Sequence, residues 1–330
     1  MHSTGREGIA LARHTQTDPG VARLERKYRR LAWQARRRKW LRRLPLIAAG
    51  LLLTAAVCII AAAAARGRSA LPADGALTVY LLDVGQGDAV LVTQQEHALL
   101  IDGGEADQGL HVVQLLSDAG VRSLDCVINS HPHSDHMGGL QAVLERVPVG
   151  ALYFPDIPVA LLPTTESYRR LLETAAEKQI PVRIPKCGDT LTLGGAALTF
   201  LSVDNTAFAG LNNCSLGVRL EYGGFSFFAA GDLEQPGEQA MLAAGLISPV
   251  TLLKVSHHGS STSTSPEFLA AARPKLACIS VGADNDYGHP TRKTLNALIE
   301  AGCQVFRTDS EGTVILRTDG NSVERVILPQ

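Results

Sequence analysis

The stretch Ser130-His131-Pro132-His133-Ser134-Asp135-His136-Met137-Gly138-Gly139 places three imidazoles and a carboxylate within six residues, directly after the apolar run 124–129. Imidazole nitrogen and carboxylate oxygen are ligands suited to Zn or Mn. A solvated polar loop is the alternative, but histidine is uncommon in such loops and this spacing fits ligation. The stretch therefore predicts a metal site.

The same stretch predicts room for a second ion. In an extended strand, His131, His133 and Asp135 point to one side, and a turn after them swings Asp135 and His136 toward another cation. The two glycines that follow allow a helix to begin close to the metals. We therefore expect two neighbouring divalent ions, Zn or Mn.

Two carboxylates elsewhere follow apolar strands, the usual place for function on a rigid scaffold. Asp88 closes the loop Asp83-Val84-Gly85-Gln86-Gly87-Asp88, from which it could reach the metals or order a ligand histidine. Asp232 ends the apolar run 228–230 and Gly231, where one carboxylate could bridge two cations. Ordinary turns are the alternative for both segments.

The remaining histidines of interest follow the apolar run 252–255. On a strand, the adjacent His257 and His258 point in opposite directions, so at most one shares the metal face and the other is structural. The hydroxyl residues from Ser260 onward either contact phosphate or cap the helix that begins near Pro266. The turn Tyr287-Gly288-His289-Pro290 could present His289 as the last ligand.

Charge divides the chain of 330 residues into two parts. Residues 1–68 hold 15 of the 31 Lys and Arg but only 3 of the 32 Asp and Glu, a net charge of +12, whereas the remainder carries −13. An acidic body is unlike a passive nucleic-acid binder, which needs basic surface. The six cysteines contain no CxxC and indicate buried thiols, with Cys214 the one alternative ligand.

The N-terminal part predicts a membrane anchor. Residues 1–43 form a basic cytoplasmic segment, 44–65 is an uncharged run of 22 residues that spans the bilayer, and 66–76 is a linker. A cleaved signal peptide is the alternative, but a 43-residue leader is far too long for an ordinary n-region. Because basic residues precede the run, we expect a single-pass cell-membrane protein with its catalytic domain, 77–330, outside the cell.

The pattern from residue 77 onward predicts an α/β fold. Short apolar runs bounded by glycines or polar turns indicate strands. Helices are expected near 108–119, 139–146, 165–178, 235–244, 266–272 and 291–301, and Asp319-Gly320-Asn321 predicts a closing hairpin. Two mixed sheets covered by helices on their outer faces account for this order.

Seven motifs together resemble the metallo-β-lactamase superfamily, specifically the hydrolase domain of ComEC-type competence proteins. They are LDVGQGDA, IDGG, SHPHSDHMGG, NNCSLGVRLEYG, FAAGDL, KVSHHGSSTSTS and SVGADNDYGHP, within residues 77–310. The resemblance implies a four-layer αββα sandwich with a dinuclear site. It implies that one ion is held by His131 and His133, that the other is held by Asp135, His136 and His289, and that Asp232 bridges them.

The chain departs from the pattern of this superfamily in three respects. No histidine lies between His136 and His257, and Asn213 stands where the middle ligand of the first site would come from. We therefore expect a more open first site. Many close relatives have an acid in place of His133, which this chain keeps as histidine. Competence channels have many spanning helices whereas one is expected here, so we do not expect the chain itself to be a DNA pore.

These observations predict a membrane-anchored, metal-dependent hydrolase, with an extracellular phosphodiesterase or DNA nuclease related to DNA uptake proteins as the leading interpretation. We expect Asp135, His257 and His258 to be catalytic, one imidazole protonating the leaving group. Asp88, Asn213 and Ser260 are expected to contact substrate. The alternatives are a hydrolase of small or cell-envelope phosphoesters, similar to a phosphocholine esterase, and an inactive surface-binding protein. We expect no organic cofactor, and the sequence carries no signal for an oligomeric state.

Overall fold

A computed structural model describes residues 75–327 together with Arg30 and Trp33. The expected spanning run 44–65, most of the basic segment before it and the linker up to residue 74 lie outside the described residues. Within the part of the chain that is described, no helix has both the length and the hydropathy needed to cross a bilayer.

Residues 75–327 contain fifteen strands and eight α-helices. In chain order the strands are β1 (Leu77–Leu81), β2 (Val90–Gln94), β3 (His97–Ile101), β4 (Cys126–Ile128), β5 (Leu152–Tyr153), β6 (Val182–Arg183), β7 (Thr190–Leu193), β8 (Ala196–Leu201), β9 (Gly217–Tyr222), β10 (Phe225–Ala229), β11 (Leu252–Lys254), β12 (Leu276–Ile279), β13 (Gln304–Arg307), β14 (Val314–Thr318) and β15 (Val323–Val326). The helices are α1 (Gly109–Asp118), α2 (Ser134–Met137), α3 (Leu140–Arg146), α4 (Glu166–Lys178), α5 (Gln235–Ala243), α6 (Pro266–Ala272), α7 (Arg292–Glu300) and α8 (Thr308–Glu311).

The strands form two mixed sheets. The first has the order β15-β14-β1-β2-β3-β4-β5-β6 and the second the order β13-β12-β11-β10-β9-β8-β7. Strands β3 to β6 run parallel in the first sheet, and β10 to β13 run parallel in the second. Parallel strands end at one edge of a sheet, so the loops after β3 and β4, and after β10 and β11, gather their polar residues there.

Alternating side chains explain why the two sheets stack. In β1, Leu77, Val79 and Leu81 face a core shared by both sheets, whereas Tyr80 faces the helices outside. In β10, Phe227 faces the same central core and Phe228 packs outward. Because successive strand residues point to opposite faces, each sheet buries one face against its partner and the other against helices. The expected four-layer αββα order is observed.

The helices begin at residues that the sequence marks as caps. The hydroxyls of Thr165, Ser265 and Thr291 accept hydrogen bonds from the backbone N–H groups three residues ahead, at the starts of α4, α6 and α7. The expected helices near 165–178, 266–272 and 291–301 are confirmed. Helix α8 was not predicted, because four residues are too few to display a helical period.

The histidine-rich stretch is not a strand, so that part of the sequence prediction is wrong. Strand β4 ends at Ile128, residues 129–133 form a loop, and Asp135 and His136 lie on the short helix α2. A further helix, α3, begins directly after Gly139. The loop turns the imidazoles inward and the helical turn orients the remaining two ligands.

We predict that Gly139→Ala destabilises the protein by about 1–3 kcal/mol, because overpacking of a closely packed contact costs this much. An added methyl group would overlap the carbonyl oxygen of Gly103 and lie 3.0 Å from the Cα of Gly109. Urea unfolding measures the change. Gly210→Ala is the control, since its methyl group would meet no atom within 4 Å. Equal stabilities of the two variants would contradict the packing argument.

Candidate metal centre

The first cluster of ligands consists of His131, His133 and Asp232. The Nε2 atom of His131 lies 2.9 Å from Nδ1 of His133 and 3.9 Å from Oδ2 of Asp232. His131 is fully buried, and this burial, together with the neighbouring His136, holds the pKa of His131 well below its usual range. A neutral imidazole is the form that binds a metal.

The second cluster consists of Asp135, His136, Asp232 and His258. The Oδ1 atom of Asp232 lies 3.1 Å from Nε2 of His136 and 3.5 Å from Nε2 of His258. The Oδ2 atom of Asp135 lies 3.2 Å from Nε2 of His258. Ligands placed about 2.0–2.2 Å from a tetrahedral cation are separated by distances of this order.

Three buried polar atoms of the second cluster lie close together, yet none of them makes a hydrogen bond of acceptable geometry: Nε2 of His136, Oδ1 of Asp232 and Nε2 of His258. Leaving a buried polar atom unsatisfied costs about 1–3 kcal/mol, and more when the group is charged. One cation would satisfy all three atoms. The donors of this cluster therefore fit a divalent metal ion.

Asp232 belongs to both clusters because its two oxygens face different histidines. Oδ1 faces the second cluster and Oδ2 faces His131. Burial alone raises the pKa of Asp232, but the positive charges of His136 and His258 outweigh burial and bring it well below its usual range. Asp232 is therefore an anion in position to bridge two cations, as the resemblance implied.

His136 is oriented by Asp102, a residue of the IDGG motif that was not among the predicted site residues. Oδ2 of Asp102 lies 2.9 Å from Nδ1 of His136 and accepts a 2.6 Å hydrogen bond from the hydroxyl of Ser130. Oδ1 accepts from the side-chain amide of Asn129 and from the backbone N–H of Ser130. A carboxylate on Nδ1 fixes the tautomer that presents Nε2 to a metal. Asp102 directly follows the apolar strand β3, and this position is the feature of the sequence from which its role could have been predicted.

Asp88 is buried behind the second cluster, so its expected contact with substrate is not observed. It pairs with the buried ammonium of Lys254, and its Oδ1 lies 3.3 Å from Nδ1 of His258. Burial alone raises the pKa of Asp88, but Lys254, His258 and His136 together outweigh burial and lower it to about 2. Nδ1 of His258 is hydrogen-bonded at 2.9 Å to the backbone carbonyl oxygen of Ser280. Asp88 therefore places a negative charge behind this histidine, whereas the Ser280 carbonyl orients its ring.

The two adjacent histidines both face the metal centre, so the prediction that at most one does so is wrong. Residues 256–259 form a tight turn in which His257 and His258 have φ values of 53°. The strand β11 ends at Lys254, and this left-handed backbone removes the alternation that a strand would impose. Nε2 of His257 lies 3.8 Å from Oδ2 of Asp232. His258 is one of the four ligands of the second cluster.

The His257 ring is held from its far side. Its Nδ1 lies 3.2 Å from the hydroxyl of Thr262 and 3.5 Å from Oε1 of Glu234, and the Thr262 hydroxyl donates to the same carboxylate. Burial lowers the pKa of His257 despite nearby Asp232. The arrangement places a neutral imidazole with Nε2 directed at the centre, where a proton can be accepted and returned.

His289 is not part of either cluster, which corrects the implied ligand set. His258 occupies the place in the second cluster that the resemblance assigned to His289. The His289 ring instead packs edge-on against His257, with ring centroids 5.7 Å apart. The turn 287–290 lies in the loop between β12 and α7, and this loop brings the His289 ring against His257.

Asn213 and Ser260 are hydrogen-bonded within the protein, and their expected contacts with substrate stay predictions. Oδ1 of Asn213 accepts hydrogen bonds from the backbone N–H groups of Glu234 and Gly237 at the start of α5. The Ser260 hydroxyl is buried and bonds to that of Thr262. Asn213 therefore adds no ligand to the first cluster, which has three donors against four in the second. Cys214 is buried and belongs to neither cluster.

The sequence profile of the Metallo-beta-lactamase superfamily matches residues 82–283. This match contains every residue of the two clusters. The chain belongs to the metallo-β-lactamase superfamily. Its membership accounts for the paired sheets and for ligands gathered at the edge where their parallel strands end.

Competence proteins are among the relatives of this metallo-β-lactamase chain. It is 33% identical over 257 residues to ComE operon protein 3 of Bacillus subtilis, covering 72% of this chain and 33% of the relative. It is 33% identical over 245 residues to Competence protein ComA of Neisseria gonorrhoeae, covering 73% and 32%. The chain thus spans about a third of the length of these relatives. The expected relation to ComEC-type proteins is confirmed.

A solved structure with a similar fold is CmlA, a diiron beta-hydroxylase from Streptomyces venezuelae. The TM-score is 0.51 at 17% sequence identity, covering 75% of this chain and 55% of CmlA. At this identity the likeness concerns the fold.

We predict that Lys254→Met lowers the free energy of unfolding by about 3–5 kcal/mol, because it leaves the buried Asp88 carboxylate without its partner. Chemical denaturation of the metal-free protein measures the loss. Adding Asp88→Asn to Lys254→Met removes the orphaned charge and should recover part of the stability. The exposed Lys275→Met serves as control and should change stability by less than about 0.5 kcal/mol. Wild-type stability of the Lys254 variant would contradict the ion-pair argument.

Proposed function

We propose that this member of the metallo-β-lactamase superfamily is a two-metal phosphodiesterase that cleaves DNA. The proposal is carried by Asp232, whose two oxygens face separate ligand clusters. Two cations joined by one carboxylate suit a phosphodiester, where both the attacking and the leaving oxygen need stabilisation. Zn or Mn matches the nitrogen and oxygen donors present.

Cations held by the two clusters would polarise the phosphoryl oxygens and activate a water molecule. The protein's own residues fix the geometry around them. Asp102 orients His136, and the backbone carbonyl oxygen of Ser280 orients His258, each through Nδ1. His257 keeps Nδ1 on Thr262 and Glu234, so its Nε2 can take a proton and deliver it to the departing alkoxide.

The relatives support DNA as the substrate. Two are named competence proteins or products of a competence operon, and a third, from Haemophilus influenzae, is named Recombination protein 2 and is 28% identical over 241 residues. DNA is the polymer on which both competence and recombination act. Each relative is about three times as long as the matched region, so DNA cleavage by this chain stands as a proposal.

A second candidate is the hydrolysis of small or cell-envelope phosphoesters. The observation that favours it is the net charge of −13 on residues 69–330, which opposes the approach of a long polyanion. A small phosphodiester needs no basic groove. Cations bound at the centre would reduce this repulsion locally, which is why DNA remains the leading proposal.

We also propose that residues 44–65 anchor the protein in the cell membrane with the hydrolase domain outside. The support is the sequence itself, in which 22 uncharged residues follow eleven basic ones between residues 23 and 43. A bilayer core needs about 20 apolar residues, and basic flanks remain on the cytoplasmic side.

We predict that the full chain degrades single-stranded or double-stranded DNA when Mn or Zn is supplied, and that Asp232→Asn reduces the rate by more than about a hundredfold. A neutral amide cannot bridge two cations as an anion, and even residues behind the ligands cost about 10–100-fold. Gel-based digestion gives the rate, and elemental analysis gives the metal content. Asp107→Asn, an exposed change on the same protein, is the control.

Cleavage of a small bis-aryl phosphodiester with intact DNA would replace the leading proposal by the second candidate. Inactivity toward every phosphoester, without bound metal, would leave the alternative of a surface-binding protein.

We predict that protease added to intact cells removes the hydrolase domain, because the positive-inside rule places it beyond the membrane. Immunoblotting with an antibody to the domain measures the loss. Lysed cells treated with the same protease establish that the folded domain is digestible, and a cytoplasmic protein reports cell integrity. A domain that is degraded only after lysis would overturn the proposed topology.

A further inference from the structure

An exposed aromatic ring lies on the loop that carries His289. Tyr287 is 70% exposed, and it is the only exposed Phe, Tyr or Trp side chain in residues 75–327. Most tyrosines cover their rings because burying them is favourable. An open ring of this kind is available to contact a ligand.

Tyr287 is the outer end of a row of rings that leads from the metal ligands to the surface. His258 and His257 have ring centroids 6.3 Å apart, His257 and His289 5.7 Å, and His289 and Tyr287 5.8 Å. The last pair is stacked, with an angle of 23° between the ring planes. One face of Tyr287 is therefore covered by His289, and its exposure comes from the other face and the edge.

The loop that carries Tyr287 is held in place by Asn285. The Asn285 amide donates to the carbonyl oxygens of Gly282 and His289, at 2.8 and 2.7 Å, and its Oδ1 accepts a 3.0 Å hydrogen bond from the backbone N–H of His289. These three bonds close the turn on which both rings stand. A platform ordered in advance loses little conformational entropy when a flat ligand stacks on it.

We propose that Tyr287, supported by His289, is a stacking subsite for a nucleobase of a single-stranded substrate bound at the metal centre. The proposal rests on the proposed function and adds the part of the substrate that is recognised outside the phosphate. Bases have π faces that stack on aromatic side chains without regard to sequence. Stacking needs no basic surface, so this contact suits an acidic domain better than a groove lined with lysine and arginine would.

The subsite is tested with the full, metal-loaded chain on two substrates of equal length. One is a single-stranded oligonucleotide, and the other carries abasic residues on the same phosphodiester backbone. Tyr287→Ala should raise KM for the oligonucleotide by about 5- to 150-fold, the range for loss of stacking on one base, and leave kcat unchanged. KM for the abasic strand should not change.

Two control variants separate stacking from other effects. Tyr287→Phe keeps the ring and should retain the wild-type KM for the oligonucleotide. Leu110→Ala removes another exposed side chain, which is 59% exposed and lies on α1. This variant should leave KM unchanged for both substrates. Thermal unfolding should be unchanged in all three variants, since the altered side chains are largely in solvent.

Failure of the subsite and failure of the proposed function give different results. If the wild-type protein cleaves neither strand, the proposed function fails and the subsite fails with it. If the wild-type protein cleaves DNA but Tyr287→Ala has the wild-type KM, or if both strands have equal KM values, only the subsite is overturned. A lowered kcat with unchanged KM would also overturn it, since it would give Tyr287 a role in the reaction rather than in binding.

Discussion

Asp232 holds the centre together because one buried carboxylate faces histidines from both halves of the fold. It follows β10 of the second sheet, whereas His131 and His136 follow β4 of the first. Asp232 is only 3% exposed, so its charge has little water to stabilise it. It needs opposite charge from its surroundings, and the position of one sheet relative to the other is what supplies it.

The residues behind the metal ligands also carry buried charges that need opposite charges nearby. Burial by itself lowers the pKa of His258, but the carboxylates of Asp232 and Asp88 outweigh it and raise the pKa to about 9. A cation that binds there at neutral pH therefore displaces a proton. Asp88 is in turn balanced by the buried Lys254, so charges of alternating sign lead from the centre into the interior. This alternation lets several ionised groups share a nearly water-free region.

The outer side of the metal centre is more exposed to solvent than the inner side, and a substrate would approach from there. His257 keeps 21% of its side chain exposed and is the first ring outside the ligand set. His289 and Tyr287 continue outward with increasing contact with solvent. The more buried imidazoles can bind a metal or transfer a proton. The exposed ring of Tyr287 can contact a ligand by stacking. The gradient in burial thus separates a reaction region from a region that can contact substrate.

The sequence by itself determined the fold and the identity of the donors. Apolar alternation and caps such as Thr165 and Ser265 are local signals, and the crowding of His131, His133, Asp135 and His136 needs no fold to be recognised. The tertiary structure decided which donors meet. His258 rather than His289 completes the second cluster because a left-handed turn overrides strand alternation. Asp102 gains its role, and Asn213 loses the expected one, through partners distant in sequence, and such contacts have no local period from which they can be inferred.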